Sequence, residues 1–418
     1  MLLLFKIKNY TSFKDETILD LRATSYTQHP THIHNTGKIS LVKTTAMYGA
    51  NASGKSNFIS AMFFFKHYIV SQFISKNKDA SIDQPFKSNG IWEPFQLSKD
   101  NNNSEEFEIV FIRNNHQLQY GFEILKEQVL NEWFYIDDQM VFERKRNNSL
   151  ELGKKYKSKL QIYNKIPSER LYISVLEYFL EDNLKNEILG DFITFFEKEF
   201  NVFTEILFES TVKRLAGSAI ISTELINNDQ YRKQVSHYLS EIDVGIQGLE
   251  IVNEELKDES GKTRTQKTVQ TKHSVFDNEG NIVDTRFFDL SQESTGTLRF
   301  LAYIQNIIKM IENGGIFIVD EMSARLHPLM TKLIVDLFQS SSNQKAQLVF
   351  TTHDISLLNH SQFRRDEVVF VDKNSRGESS IYALSDLKVR EDASFSKDYL
   401  QGKYGAIPIF KLDSLFWR

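Results

Sequence analysis

Residues 49–57 read Gly-Ala-Asn-Ala-Ser-Gly-Lys-Ser-Asn. Two glycines, small side chains between them and a Lys-Ser pair suit one task, holding phosphates with backbone N–H groups. Gly49 and Gly54 permit a tight turn, and Ala50, Ala52 and Ser53 let the backbone approach a ligand. The amides from about Asn51 to Ser56, with Asn57 following, then point at phosphates from the start of a helix. Lys55 is placed to bridge the β and γ phosphates of ATP, and the Ser56 hydroxyl to ligate Mg²⁺. An apolar strand pattern precedes this P-loop and a helical one follows, the context the motif needs.

Further chemistry lies far downstream. Ser294, Thr295, Gly296 and Thr297 head an amphipathic helix with Leu298, Leu301, Ile304 and Ile308 on one face. Hydroxyls and a glycine there make either a second anion site or an ordinary N-cap. "GIFIVDE" ends a buried-strand pattern with Asp320, suited to hold the metal, and Glu321, suited to activate water. "QLVFTTHD" ends another with His353. Catalysis is therefore expected from Lys55 and Glu321, and metal binding from Ser56 and Asp320.

The elements that must position these residues follow from periodicity. Residues 2–8, 18–21 and 39–48 look like strands, and 55–75 like a helix. "FEIVFI", "QYGFEIL" and "NEWFYI" alternate as an antiparallel meander. From about 166 to 245 the pattern is helical, and polar strands return from 249 to 288. Apolar strands alternating with helices near the end predict an α/β fold with a parallel sheet covered on both faces. The expected division is a split core at 1–90 and 286–418, an antiparallel β insertion at 91–165, and a helical lid with return strands at 166–285.

Composition narrows the class. At 418 residues the chain buries a large core. With no cysteine it has no disulfide, thiolate metal site or Cys nucleophile, which suits a reducing cytoplasm. No window is apolar enough to span a membrane. A net charge of −5 gives no global nucleic-acid signal, so such a contact must be local. The candidate is 144–159, "RKRNNSLELGKKYKSK", with seven Lys or Arg and Tyr156, and "GKTRTQK" at 261–267 is a weaker patch; a solvated hairpin is the alternative.

The order phosphate loop, "ESTGTLRFL", "IVDE" and "TTHD" resembles that of ABC-type ATPases. The resemblance implies a P-loop NTPase of ABC/SMC-like head type, with an inserted β-meander and a helical subdomain. It implies that two heads sandwich ATP, so that Ser294, Gly296 and Thr297 of one head meet the phosphate loop of the other. Glu321 then polarises water and His353 holds the γ-phosphate. "MSARLH" departs from the usual pattern, with Ser323 and His327 where acids are expected, and Arg325 between them as a possible trans cation. Gln96 in "PFQLS" is the candidate for a nucleotide-sensing glutamine, and no aromatic is placed for adenine.

The long stretch between Gly54 and Gly296 argues against a transporter motor. The opening "FKIKNYTSF" is similar to SMC and RecF repair heads, with Thr11 where an arginine is expected. The tightest resemblance, through "GANASGKSN", "PFQLS", "ESTGTLRFL", "IVDEMSARLHP", "FTTHD" and "DYLQGKYGAIPIF", is to AAA-type ABC ATPases of abortive-infection and phage-defence systems. These are related to the OLD family and to the AbiL, Septu and PARIS ATPases. It implies a homodimer or higher oligomer that senses or regulates a separate effector, a nuclease or toxin. A DNA-clamping repair head is the alternative. The tail after His353 offers scattered acids without a D-x-D pair, so the chain's own chemistry is expected to be ATP hydrolysis alone.

Overall fold

A computed structural model describes residues 1–73, 93–99, 103–126, 128–146, 149–160, 166–204, 221–243, 245–257, 263–390 and 393–408. Its centre is a six-stranded sheet in the order Phe200–Phe203, Gly315–Val319, Ala346–Thr351, Thr44–Tyr48, Val368–Lys373 and Ser379–Ala383. All neighbours run parallel except the last pair, which is antiparallel. Strands Thr44–Tyr48, Gly315–Val319 and Ala346–Thr351 are buried at every position. Their β-branched and aromatic residues alternate between two cores, as a two-fold pleat requires. Met47, Ile316, Ile318, Val349, Val369 and Val371 face one core, while Ala46, Tyr48, Phe317, Val319, Leu348 and Phe350 face the other.

The helix Lys55–Val70 fills the first core. It buries Phe58, Ile59, Ala61, Met62, Phe64, Phe65, Tyr68 and Ile69, so most of its circumference is apolar and only a narrow stripe through Ser56, Ser60, Phe63 and His67 reaches solvent. On its far side lies a seven-stranded antiparallel sheet, which is where the 91–165 meander goes. That meander continues the sheet opened by the N-terminus, because Leu2–Lys8 pairs with Glu105–Arg113 as well as with Thr17–Asp20. Phe65 ties the layers together. Its ring lies 5.5 Å from Phe5, 5.1 Å from Phe122 and 5.8 Å from Phe196.

The 166–285 region divides between the two cores. Helices Tyr172–Phe179 and Asp182–Thr194 pack on the first. The chain then passes through a π-helical turn, Phe195–Glu199, into Phe200–Phe203. That short strand adds to the edge of the central sheet, where the sequence pattern indicated helix. Asp229–Ile242 packs under a three-stranded sheet of Ile246–Lys257, Thr263–Phe276 and Ile282–Asp289. The last strand crosses the 285/286 boundary and leads directly to the helix Thr295–Asn313.

Thr295–Asn313 and Pro328–Gln339 cover the second face of the central sheet. The tail joins them there, with Tyr399 stacked on Phe370 at 5.4 Å and its hydroxyl donating to the Ala406 carbonyl. Among the described residues no helix is long and apolar enough to cross a membrane.

Phe65→Ala removes the ring shared by both sheets. We expect a loss of about 3–5 kcal/mol, the usual range for a buried aromatic truncation. Urea unfolding followed at Trp133, in the antiparallel sheet, measures it; a loss below about 1 kcal/mol would show that the layers do not share this core.

Candidate functional site

The phosphate loop leaves the end of Thr44–Tyr48 and enters the helix Lys55–Val70. Gly54 sits at φ 117°, a conformation that L side chains rarely adopt. A Cβ on Gly49 would come within 2.3 Å of the Val371 carbonyl oxygen on the adjacent strand. The loop therefore lies flat against its neighbour only as glycine. No side chain caps the helix that begins at Lys55, so its first-turn N–H groups keep their hydrogen-bonding capacity. The Ser53 hydroxyl is buried without a hydrogen-bond partner. Uncapped amides and an orphaned hydroxyl around one loop fit a polyanionic ligand.

The Lys55 ammonium donates to the carbonyls of Gly49 at 2.8 Å and Ala50 at 3.0 Å. It is almost fully buried, which pushes its pKa down to about 8, while Asp320 and Glu321 pull it partway back. The opening turn Asn9–Phe13 braces the loop from outside. Ser12 Oγ accepts from Asn57 Nδ2 at 2.8 Å and donates to Ser379 Oγ at 2.8 Å, whose own proton goes to the Ser53 carbonyl at 2.6 Å, and Ser379 N–H donates to the Ser12 carbonyl. Thr11 holds φ 50° within this turn.

Asp320 and Glu321 follow the end of Gly315–Val319, and one hydroxyl organises both. Thr351 Oγ1 donates to Asp320 Oδ1 at 2.6 Å and accepts the Glu321 N–H at 2.7 Å. Its single proton is committed to Asp320, so the Glu321 amide must be the donor to it. Glu321 sits at φ 48°, an uncommon conformation for a residue with a side chain and one found at functional positions. Ser323, in place of an acid, shares a 2.7 Å hydrogen bond with Thr352 Oγ1.

One cavity of about 410 Å³ is lined by Asn51 through Asn57, Glu321, His353 and Lys373. Burial and the nearby Lys55 charge lower the His353 pKa, so its imidazole is neutral at pH 7. Asp320 stands close enough to act on both Lys55 and His353 electrostatically. Gln96 is not on this cavity; its side chain turns back to the Pro94 carbonyl. Lys373, absent from the sequence reading, ends the strand next to the loop strand. Lys373 lies in no local motif, and Thr351, although it opens "TTHD", has no role that the motif alone reveals. Only the pairing of strands brings them here.

Ser294, Gly296 and Thr297 do not line this cavity. Ser294 caps the helix Thr295–Asn313, accepting the Thr297 N–H at 3.0 Å. The Thr297 hydroxyl donates to Asp243 at 3.0 Å, so the Ser294 proton goes to Thr297 at 2.8 Å. Gly296 is pressed against the Arg325 carbonyl, where a Cβ would approach to 2.8 Å. His327 caps the next helix, its Nδ1 accepting the Leu329 N–H, with Pro328 in the first turn. A histidine thus does there the capping work an aspartate could do.

The 144–159 segment begins at the end of Gln139–Arg144, includes its antiparallel partner Leu150–Leu152 and continues beyond it through the turns that hold Lys154 to Lys159. Its aromatic is not available for stacking on a base, because Tyr156 is buried in the first core. Arg144 is buried too, donating to the Arg170 carbonyl, and Lys159 pairs with Glu187. Arg146, Lys154, Lys155 and Lys157 remain exposed. Of the weaker 261–267 patch, Gly261 and Lys262 lie outside the described residues.

Residues 44–359 match the family model described as "AAA domain, putative AbiEii toxin, Type IV TA system". No curated protein sequence matches the chain. Among solved structures it is similar to an SMC head bound to the C-winged helix domain of ScpA, with 12% identity, TM-score 0.49, and 91% of this chain and 97% of that chain covered. It is also similar to an SMC head domain from Thermotoga maritima, with 14% identity, TM-score 0.39, and coverage of 93% and 99%.

A phosphate on the Lys55 ammonium would raise a pKa that stands at about 8 in the free site. Nucleotide binding should therefore take up a proton at alkaline pH. We expect affinity to be flat below pH 8 and to fall by up to about tenfold per unit above it. Calorimetry at pH 7–9.5 in buffers of different ionisation enthalpy reads both effects, and affinity unchanged to pH 9.5 would remove Lys55 from the phosphates.

Proposed function

This chain belongs to that AAA-domain family, and from that premise and the site geometry we propose an ATP hydrolase that closes as a two-headed dimer and regulates a separate effector in phage defence. The carrying observation is the single cavity that collects the phosphate loop, Glu321 and His353 from three parts of the sequence. The uncapped amides and Lys55 bind the phosphates. Ser56 and Asp320 are the donors for Mg²⁺, which when bound neutralises phosphate charge. Thr351 holds Asp320 and the Glu321 backbone in register. Glu321 takes the proton of the attacking water, and neutral His353 donates a hydrogen bond to the γ-phosphate. Lys373 adds positive charge on the open rim.

Dimerisation is supported by what the cavity lacks on one side. Ser294 is exposed, and Arg325, His327 and Leu329 are exposed in the neighbouring turn and helix start. In a two-fold pair a second head would bring its own Ser294 face against this cavity, whose lining within one chain does not include it. The family's own description, a toxin of a Type IV TA system, supports a defence setting with a protein counterpart. A nucleic-acid role rests on the remaining exposed cations of 144–159 and would be an electrostatic contact, not a stacking one.

Glu321→Gln keeps size and hydrogen bonding but removes the base. We expect retained ATP and turnover slowed by about 10²–10⁴, the usual worth of general-base catalysis. Near wild-type turnover would overturn the role.

Any side chain at 296 would displace the Arg325 segment, so the dimer is better tested at Ser294. Aspartate caps helices as well as serine does. Ser294→Asp therefore keeps the helix start while placing a negative charge against a facing γ-phosphate. ATP binding per chain should persist, and ATP-dependent association by sedimentation and turnover should both be lost. Normal association would exclude a sandwich through this helix.

A further inference from the structure

The loop that follows His353 runs through a 3-10 turn, Ile355–Leu357, to consecutive arginines that the fold treats in opposite ways. Arg364 is fully buried and satisfied. It forms a two-point pair with Asp366, at 2.8 and 2.9 Å, and donates to the carbonyls of Thr24, Tyr26 and Gln28. Arg365 is only 9% exposed, yet among the described residues no carboxylate pairs with it. Its guanidinium lies over the Tyr26 ring at 4.9 Å. A largely buried guanidinium held against an aromatic face, without an acid partner and open on a cavity, presents its fork to an anion there.

Arg365 opens on a cavity of about 340 Å³, separate from the phosphate-loop cavity. Three elements build it: the N-terminal segment near His29, the loop at His360 and Ser361, and the tail helix at Phe395. His29 is fixed there at φ 52°, its Nε2 hydrogen-bonded to the His360 carbonyl at 2.8 Å and its ring stacked on His32 at 4.6 Å. The polar wall therefore offers a guanidinium fork, imidazoles and a hydroxyl. The remaining lining includes the apolar Phe363 and Phe395.

We infer that this cavity binds a small phosphate monoester carrying a planar group, of mononucleotide size, independently of the phosphate-loop site. The guanidinium fork matches the geometry of phosphate oxygens, and the exposed His360 imidazole adds a donor, whereas the His29 Nε2 and Ser361 hydroxyl protons are already given to the His360 carbonyl and to Asn359 Oδ1. The volume lies near the lower bound of small-molecule pockets, about 300–1,000 Å³, which admits one such ligand and no larger dinucleotide. The planar part rests against Phe363 and Phe395. Because Ser361 and His353 share one loop, a ligand here is positioned to bias the catalytic histidine.

The test uses the full chain carrying Lys55→Ala, which silences the phosphate loop, titrated calorimetrically with AMP and separately with inorganic phosphate. We expect AMP to bind once per chain, at least tenfold more tightly than phosphate. Adding Arg365→Met, which keeps the stem but removes the fork, should weaken AMP at least tenfold. His360→Ala, at an exposed ring, should weaken AMP as well and serves if the methionine variant does not fold. No AMP binding in Lys55→Ala, or AMP binding unchanged by Arg365→Met or by His360→Ala, would overturn the site. Equal binding of phosphate and AMP would overturn the planar-group assignment.

Discussion

The site depends on strands that carry no charged side chain along their length. Thr44–Tyr48, Gly315–Val319 and Ala346–Thr351 are sealed on both faces by two apolar cores. A buried charge within them would be costly without a partner, so chemistry begins only where they stop. Because they are parallel, they stop at one edge. Gly49, Asp320 with Glu321, and His353 come from distant parts of the chain and are assembled there by the pairing itself. The same pairing carries Lys373 to that edge along Val368–Lys373. The site is thus a property of strand order before it is a property of any motif.

Helix starts divide the remaining labour. Ser294 and His327 cap their own helices with side chains, so the donors of those first turns are partly used. The helix Lys55–Val70 alone among these three begins without a side-chain cap, and it begins at the cavity. A phosphate there would act as the missing cap. At Ser294 the proton already runs inward, through Thr297 to Asp243, so this hydroxyl would have to turn outward to donate to a ligand. The two helix starts are therefore prepared to different degrees for an anion.

Much of this was legible in the sequence because it was local. The glycine and lysine spacing of 49–56, the apolar runs ending in Asp320-Glu321 and His353, and the amphipathic helix after Ser294 need only neighbouring residues to be recognised. What escaped was long-range. Thr351 reads as an ordinary β-branched strand residue until its hydroxyl is seen between Asp320 and the Glu321 amide. The strand Phe200–Phe203 follows a helical pattern and is specified by its partner, Gly315–Val319. The cations of 144–159 looked like one exposed run, but the fold buries Arg144 at the end of its strand and, in the turns after Leu150–Leu152, the aromatic Tyr156.

The packing also constrains how a change at the phosphates can travel. Tyr48 precedes the loop, faces the second core and meets the Tyr399 ring at 6.3 Å, while the helix that follows the loop is embedded in the first core with the antiparallel sheet. A shift of the loop must therefore load both cores at once. The first is a dense aromatic layer in which Phe65, Phe107 and Phe122 are completely buried, and such interiors resist continuous deformation. The second includes the tail, whose short helix Phe395–Leu400 is held largely by ring contacts and the Tyr399 and Tyr382 hydroxyls. Displacement goes where fewer buried contacts must break. Through Tyr48 and Phe370 the phosphate loop is thus packed directly against the tail as well as against the aromatic layer.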